Sequence, residues 1–165
     1  MNTPLFYRPP GGWLADVMPL AHDGEFWLYH LLDRRDGSGV SWALVKTSDF
    51  LTFSESHVIL PSGGADALDF NVYTGSVVRE GSQFHAYYTG QNPWILDPVT
   101  GEPLQVVLHA VSDDGQRRWQ RVSEDVLRAP SWIEPSDWRD PFVRQCQEDG
   151  SWQMLLAARR RQGPH

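Results

Sequence analysis

Asp16-Val-Met-Pro-Leu-Ala-His-Asp-Gly-Glu-Phe-Trp-Leu-Tyr29 has an order of residue types that returns twice along the chain. It reappears as Thr74-Gly-Ser-Val-Val-Arg-Glu-Gly-Ser-Gln-Phe-His-Ala-Tyr87, and again as Asp140-Pro-Phe-Val-Arg-Gln-Cys-Gln-Glu-Asp-Gly-Ser-Trp-Gln-Met-Leu155. Each copy is a polar residue, an apolar strand, a turn containing glycine, and a second strand led by an aromatic residue. The first two copies continue alike: Trp42-Ala-Leu-Val-Lys-Thr-Ser-Asp-Phe-Leu-Thr-Phe53 parallels Val107-Leu-His-Ala-Val-Ser-Asp-Asp-Gly-Gln-Arg-Arg-Trp119. That continuation adds a third strand, a Ser-Asp turn, and a ring able to plug against the next unit. Self-similarity at a fixed period is the signature of a repeat architecture, and a period of roughly 60 residues suits a four-stranded propeller blade with long loops.

The rest of the chain reads the same way. Runs rich in aromatic and β-branched residues mark strands at 26–32, 42–47, 73–78, 84–89, 106–111 and 152–157. Glycine, aspartate and serine fill the breaks, where hairpins need unusual backbone angles. Helical periodicity is weak because glycine or proline interrupts most windows. The expected fold is therefore all-β: two complete four-stranded antiparallel blades, at about 11–60 and 66–128, and the start of a third at about 136–160. A plain β-sandwich is the alternative, but it has no reason to repeat this residue order.

Composition narrows the function. The 165 residues are 41% hydrophobic, with eight tryptophans, ample apolar surface for a core and unlike a disordered chain. The net charge of -7 disfavours nucleic-acid and anionic-membrane partners. The single Cys146 excludes an internal disulfide and a cysteine metal cluster. No apolar run approaches a membrane span, and the opening residues lack the basic and apolar regions of a secretory signal, so a cytoplasmic location is expected. No glycine-rich phosphate loop or metal cluster is seen, so no cofactor or metal is expected.

In a propeller the first strand of each blade lines the central channel, which would bring Asp16, Thr74 and Asp140 to one funnel. Two carboxylates facing one pocket are what glycosidic-bond chemistry requires. The alternative is that each aspartate only caps its own turn. Asp16 follows an apolar strand with no nearby cation, whereas Asp140 follows Arg139, whose guanidinium is expected to lower its pKa and hold it ionised.

These segments resemble glycoside hydrolase family 32. Trp13-Leu-Ala-Asp16 is similar to the family's aromatic-led nucleophile segment, Tyr73-Thr74-Gly75-Ser76 to its aromatic-Ser-Gly-Ser segment, and Arg139-Asp140-Pro141 to its Arg-Asp-Pro motif. Trp42 followed by Thr47-Ser48-Asp49 resembles its second-hairpin pattern, and the four segments occur in family order. The resemblance implies a five-bladed propeller acting on fructosides or similar sugars with retention. It implies Asp16 as nucleophile and Asp140 as the transition-state stabiliser, with Arg139 orienting Asp140. Trp13, Trp42, Tyr73 and Thr74 would bind the sugar. The family's asparagine before the nucleophile is here Ala15, and its Glu-Cys acid/base segment has no counterpart, since Cys146 follows Gln145. The expectation is a glycosidase-like chain that stops short of its general acid, weak or inactive alone. The alternative is a non-catalytic carbohydrate-binding or assembly module, with self-association through unpaired blade edges. The related families 43 and 130 share the propeller and the axial carboxylates.

Several other residues carry simpler expectations. Glu134 is a remote candidate proton donor on a loop, and Asn92-Pro93-Trp94 opens a loop running through Pro103. Asp33-Arg34-Arg35-Asp36 reads as a solvated charged turn, with a place near the funnel mouth as the functional alternative, the histidines as strand or turn residues, and Arg159-Arg160-Arg161 as a solvated tail.

Overall fold

The computed structural model describes residues 7–161. The opening residues 1–6, part of the segment read above for a secretory signal, lie outside it. Among the described residues the chain is all-β, with strands β1 (Trp13–His22), β2 (Glu25–Asp33), β3 (Val40–Thr47), β4 (His57–Leu60), β5 (Asn71–Glu80), β6 (Gln83–Leu96), β7 (Pro103–Ser112), β8 (Gln120–Leu127), β9 (Ile133–Gln145) and β10 (Trp152–Arg160). They form a four-stranded antiparallel sheet β1-β2-β3-β4, a second four-stranded antiparallel sheet β5-β6-β7-β8, and an antiparallel pair β9-β10. The arrangement is β-propeller-like. Among the described residues no helix is long and apolar enough to cross a membrane.

Alternation along the strands builds the core. Trp27, Tyr29 and Leu31 of β2 and Trp42 and Leu44 of β3 project from one face of the first sheet, two residues apart as a pleated strand requires. Phe84, Ala86 and Tyr88 of β6 and Val106, Leu108 and Ala110 of β7 do the same in the second. The two sets merge into one cluster, with Trp27 stacked on Phe84 and Trp42 edge-on to Tyr88. Tyr29 packs against Trp119 and donates its hydroxyl to the Gly115 carbonyl at 2.9 Å.

The sequence repeat becomes a repeat of packing. β5 lies against β1, β2 and β3, and β9 lies against β5, β6 and β7, so the leading strand of each sheet leans on the first three strands of the sheet before it. The Ser-Asp turns also correspond. Thr47 Oγ1 accepts the Phe50 N–H at 2.9 Å, and Ser112 Oγ accepts the Gly115 N–H at 2.9 Å. Asp49 receives the N–H groups of Leu51 and Thr52, and Asp114 those of Gln116 and Arg117. Phe50 and Gly115 both take a left-handed backbone, with φ of 57° and 64°. In the second sheet glycine fits that position without strain, whereas the first sheet uses Phe50, held by the Thr47 and Asp49 bonds.

Three readings need correction. Asn92-Pro93-Trp94 is not a loop but part of β6, because buried Asn92 donates to the Ala65 and Ala67 carbonyls and accepts the Trp94 N–H. Arg159-Arg160-Arg161 is not a free tail: Arg159 and Arg160 end β10 and Arg161 follows it, and although Arg159 and Arg160 are exposed, Arg159 pairs with Asp137 and Arg161 with Asp97. Glu134 lies within β9 rather than on a loop, 3.7 Å from Arg159.

Gly75 marks the tightest backbone approach. A Cβ placed there would meet the Tyr87 carbonyl oxygen at 2.0 Å and Tyr88 Cα at 2.7 Å, both backbone atoms that cannot swing aside. Gly75→Ala is therefore expected to push β5 from β6 and destabilise the chain by about 1–3 kcal/mol. A lower urea denaturation midpoint at unchanged slope would report that loss, and an unchanged midpoint would show that the sheet absorbs the methyl.

Candidate active site

Each leading strand carries an irregularity at the equivalent point. The β1–β2 register slips between Ala15 and Val17, which isolates Asp16; the β5–β6 register slips between Val72 and Gly75, which isolates Tyr73 and Thr74; and the β9–β10 register slips opposite Asp140 and Pro141. A bulge re-aims a side chain out of the regular alternation, and bulges gather beside active sites. Asp16 and Asp140 have φ of 35° and 56°. The other non-glycine residues with positive φ, namely Asp23, Arg35 and Phe50, follow strand ends, whereas these two sit inside strands. Such a backbone costs about 1–3 kcal/mol per residue and persists only where its surroundings hold it.

Those surroundings connect the three sheets. Thr74 donates its hydroxyl to Asp16 Oδ2 at 2.5 Å. Thr89, fully buried on β6, donates to the Thr74 carbonyl at 3.0 Å and accepts the Asp140 N–H at 2.8 Å. Ser76 donates to the Pro141 carbonyl and accepts the Val143 N–H, both at 2.9 Å, which locks the β9 bulge onto β5. At the position in the first sheet that corresponds to Ser76, Met18 accepts the Gly75 N–H through sulfur at 3.3 Å. The structure thus brings Asp16, Thr74 and Asp140 into one connected set.

The electrostatics differ from the sequence expectation. Burial raises the Asp140 carboxyl above its ordinary pKa, and the Asp16 carboxylate pushes in the same direction against the opposing pull of Arg139. Arg139 does not overcome this because its Nε lies 3.7 Å from Asp140 Oδ2, while its terminal nitrogen is bonded to Asp137 and reaches Gln105 at 3.2 Å. Arg139 does pull the Asp140 pKa down as expected, but burial outweighs that pull and the net direction is upward.

The proposed sugar-binding residues divide. Tyr73 is half-buried, and burial together with Asp33 raises its hydroxyl, which stays a donor. Trp13 is 64% exposed, and Arg35 of the Asp33–Asp36 turn lies over its ring at 4.8 Å. Trp42 does not wall a pocket. It is 0% exposed within the core, and its indole N–H donates to the Tyr73 carbonyl at 2.9 Å, so it supports the β5 bulge from below. Thr89 and Asp137 were not picked out from sequence. Thr89 reads there as an ordinary strand residue, whereas Asp137 could have been found from its position two residues before Arg139, on the same face of a strand.

Among the described residues no group of three or more His, Cys, Asp or Glu is placed to hold a metal ion. A separate cleft of about 330 Å³, lined by residues including His109, Asp125 and Met154, contains none of the residues above.

The sequence matches the Glycosyl hydrolases family 32 N-terminal domain over residues 6–164. The chain belongs to that family. Among solved structures, this family 32 chain is similar to exo-inulinase from Aspergillus awamori, at 22% identity and a TM-score of 0.74, over 91% of this chain and 34% of that one. It is also similar to sucrose-6-phosphate hydrolase from Lactobacillus gasseri, at 22% identity and a TM-score of 0.70, over 92% and 30%. A family 43 beta-xylosidase/alpha-arabinofuranosidase from a compost microbial metagenome matches at 17% identity and a TM-score of 0.60, over 87% and 42%. The family 32 chain therefore spans less than half the length of these structures. Among curated proteins nothing matches.

A raised carboxyl makes stability depend on pH in a defined direction. The native state holds the Asp140 proton more tightly than the unfolded chain, so this contribution is fully present below the ordinary carboxylate pKa and is lost as pH rises through the raised native value. Asp140→Asn removes the partly buried charge and is expected to raise the denaturation midpoint at pH 7 more than at pH 4. Denaturant melts of both proteins at the two pH values check this, and a lower midpoint for Asp140→Asn at pH 7 would contradict it.

Proposed function

We propose that this chain forms part of a five-bladed propeller glycosidase acting on fructosides or similar oligosaccharides, with its two four-stranded sheets as blades and β9-β10 opening a third. Asp16 is the nucleophile and Asp140 the group that grips sugar hydroxyls and favours the oxocarbenium charge. The observation that carries this reading is the placement of both carboxylates on equivalent strand bulges, joined through Thr74 and Thr89. An attacking carboxylate must present a free oxygen to the sugar's anomeric carbon. Asp16 is exposed and meets Thr74 through Oδ2, a bond that also orients the carboxylate. Asp140 sits deeper, where its hydrogen bonds to hydroxyls meet less competition from water. Trp13 offers an exposed ring for the apolar face of a sugar, and Tyr73 and Arg139 supply donors at its edge.

The 165 residues contain no Glu-Cys pair. Absence of a positioned general acid typically slows such chemistry by ~10²–10⁴-fold. The purified chain is therefore expected to bind short fructans or sucrose measurably while hydrolysing them weakly. Titration followed by NMR, with reducing-sugar release in parallel, tests both parts. Asp16→Ala should abolish any residual turnover and leave most of the binding, whereas Asp140→Ala should weaken binding about tenfold or more. Undiminished turnover in Asp16→Ala removes it as nucleophile. Binding with no turnover at all favours a non-catalytic carbohydrate-binding role, and absence of binding to every sugar tried overturns both.

A further inference from the structure

Arg139 has more partners than its catalytic neighbour. Its terminal nitrogen Nη1 donates to Asp137 Oδ1, to Gln105 Oε1 on β7 at 3.2 Å and to the Ser136 carbonyl at 3.4 Å, while Nε faces Asp140 Oδ2 at 3.7 Å, beyond hydrogen-bond length. Asp137 is buried and shared: its second oxygen, Oδ2, pairs with Arg159 Nε of β10 at 2.6 Å. Arg159 also lies 3.7 Å from Glu134. Asp137 and Arg139 are two apart on β9, which sets them on one face of the strand, and the bulge then turns Asp140 out of that alternation.

We propose that Asp137 is a positioning residue that holds the Arg139 guanidinium by its terminal nitrogen and so sets how closely that cation approaches Asp140. With Arg139 drawn toward Asp137, its pull on Asp140 stays smaller than the effect of burial, and the Asp140 carboxyl is raised. Arg159 sets the strength of the hold, because it competes with Arg139 for the same carboxylate. The charges acting on Asp140 itself are Arg139 on β9 and Asp16 on β1, while Asp137, Arg159 and Glu134 from β9 and β10 form the ion-pair chain beside Arg139. β5 and β6 contribute only the neutral Tyr73, Thr74 and Thr89, and β7 contributes Gln105. The catalytic meaning of this device rests on Asp140 being the sugar-gripping carboxylate, but the device itself is a property of the sugar-free chain.

The test is a carboxyl carbon NMR titration of Asp140 in the 165-residue chain without sugar. Asp137→Asn is expected to let Arg139 close on Asp140 and to lower its titration midpoint by roughly half a pH unit or more, as an approaching opposite charge does. In an Arg139→Gln background the same substitution should lower it far less. Arg159→Gln should act in the opposite direction, drawing Arg139 further onto Asp137 and raising the midpoint. An unchanged midpoint in Asp137→Asn, or an equal fall without Arg139, would leave Asp137 a merely structural ion-pair member and overturn the proposal. If Asp137→Asn does not fold, Arg159→Gln decides alone, and no rise overturns it. Failure of sugar binding or turnover would leave these titrations unaffected, so the two readings stand or fall separately.

Discussion

A single buried hydroxyl ties the candidate site together. Thr89 Oγ1 donates to the carbonyl of Thr74 and accepts the amide of Asp140, so one oxygen joins the bulge of β5 to the bulge of β9. Both partners are backbone groups that a strand bulge removes from the ladder, and a buried backbone group without a partner costs about 1–3 kcal/mol. The bulges can exist only because such partners meet them. From Thr74 the connection runs on to Asp16, and the Tyr73 carbonyl beside it is satisfied by the indole of Trp42 from the first sheet. The leading strands of the three sheets therefore depend on one another, and no carboxylate of the pair is placed by its own sheet alone.

The same arrangement sets the charge balance. Partial burial raises the cost of ionising Asp140 and the nearby Asp16 carboxylate adds to it, while the adjacent arginine, shared with Asp137, relieves only part of that cost. Left-handed backbone at Asp16 and Asp140 adds local strain. Strain and unrelieved charge thus meet at the residues assigned chemical roles, while the aromatic cluster of Trp27, Tyr29, Trp42, Phe84 and Tyr88 supplies the apolar burial that offsets them.

Much of this was legible in the order of residues. The threefold return of a polar residue, apolar strand, glycine turn and aromatic strand marked the leading hairpin of each sheet, since period-two alternation and turn chemistry act over a few neighbours. The Ser-Asp turns were legible for the same reason, and their paired hydrogen bonds are there in both four-stranded sheets. Trp42 was misread because a strand tryptophan looks alike from sequence whether its ring faces a sugar or a core. β6 was cut short at Asn92-Pro93 because the carbonyls that hold Asn92 lie in another segment.

The sequence by itself determined the all-β class, the repeat and the positions of Asp16, Thr74 and Asp140 within it, because those follow from local pattern and spacing. Only the tertiary structure decided that Thr89 and Ser76 clamp the bulges, that Trp42 is a buried support, and that Arg139 belongs more to Asp137 than to Asp140. Each of those depends on which strands become neighbours and on how far burial weakens solvent screening. Contacts between distant residues and the dielectric around them arise only when the sheets pack.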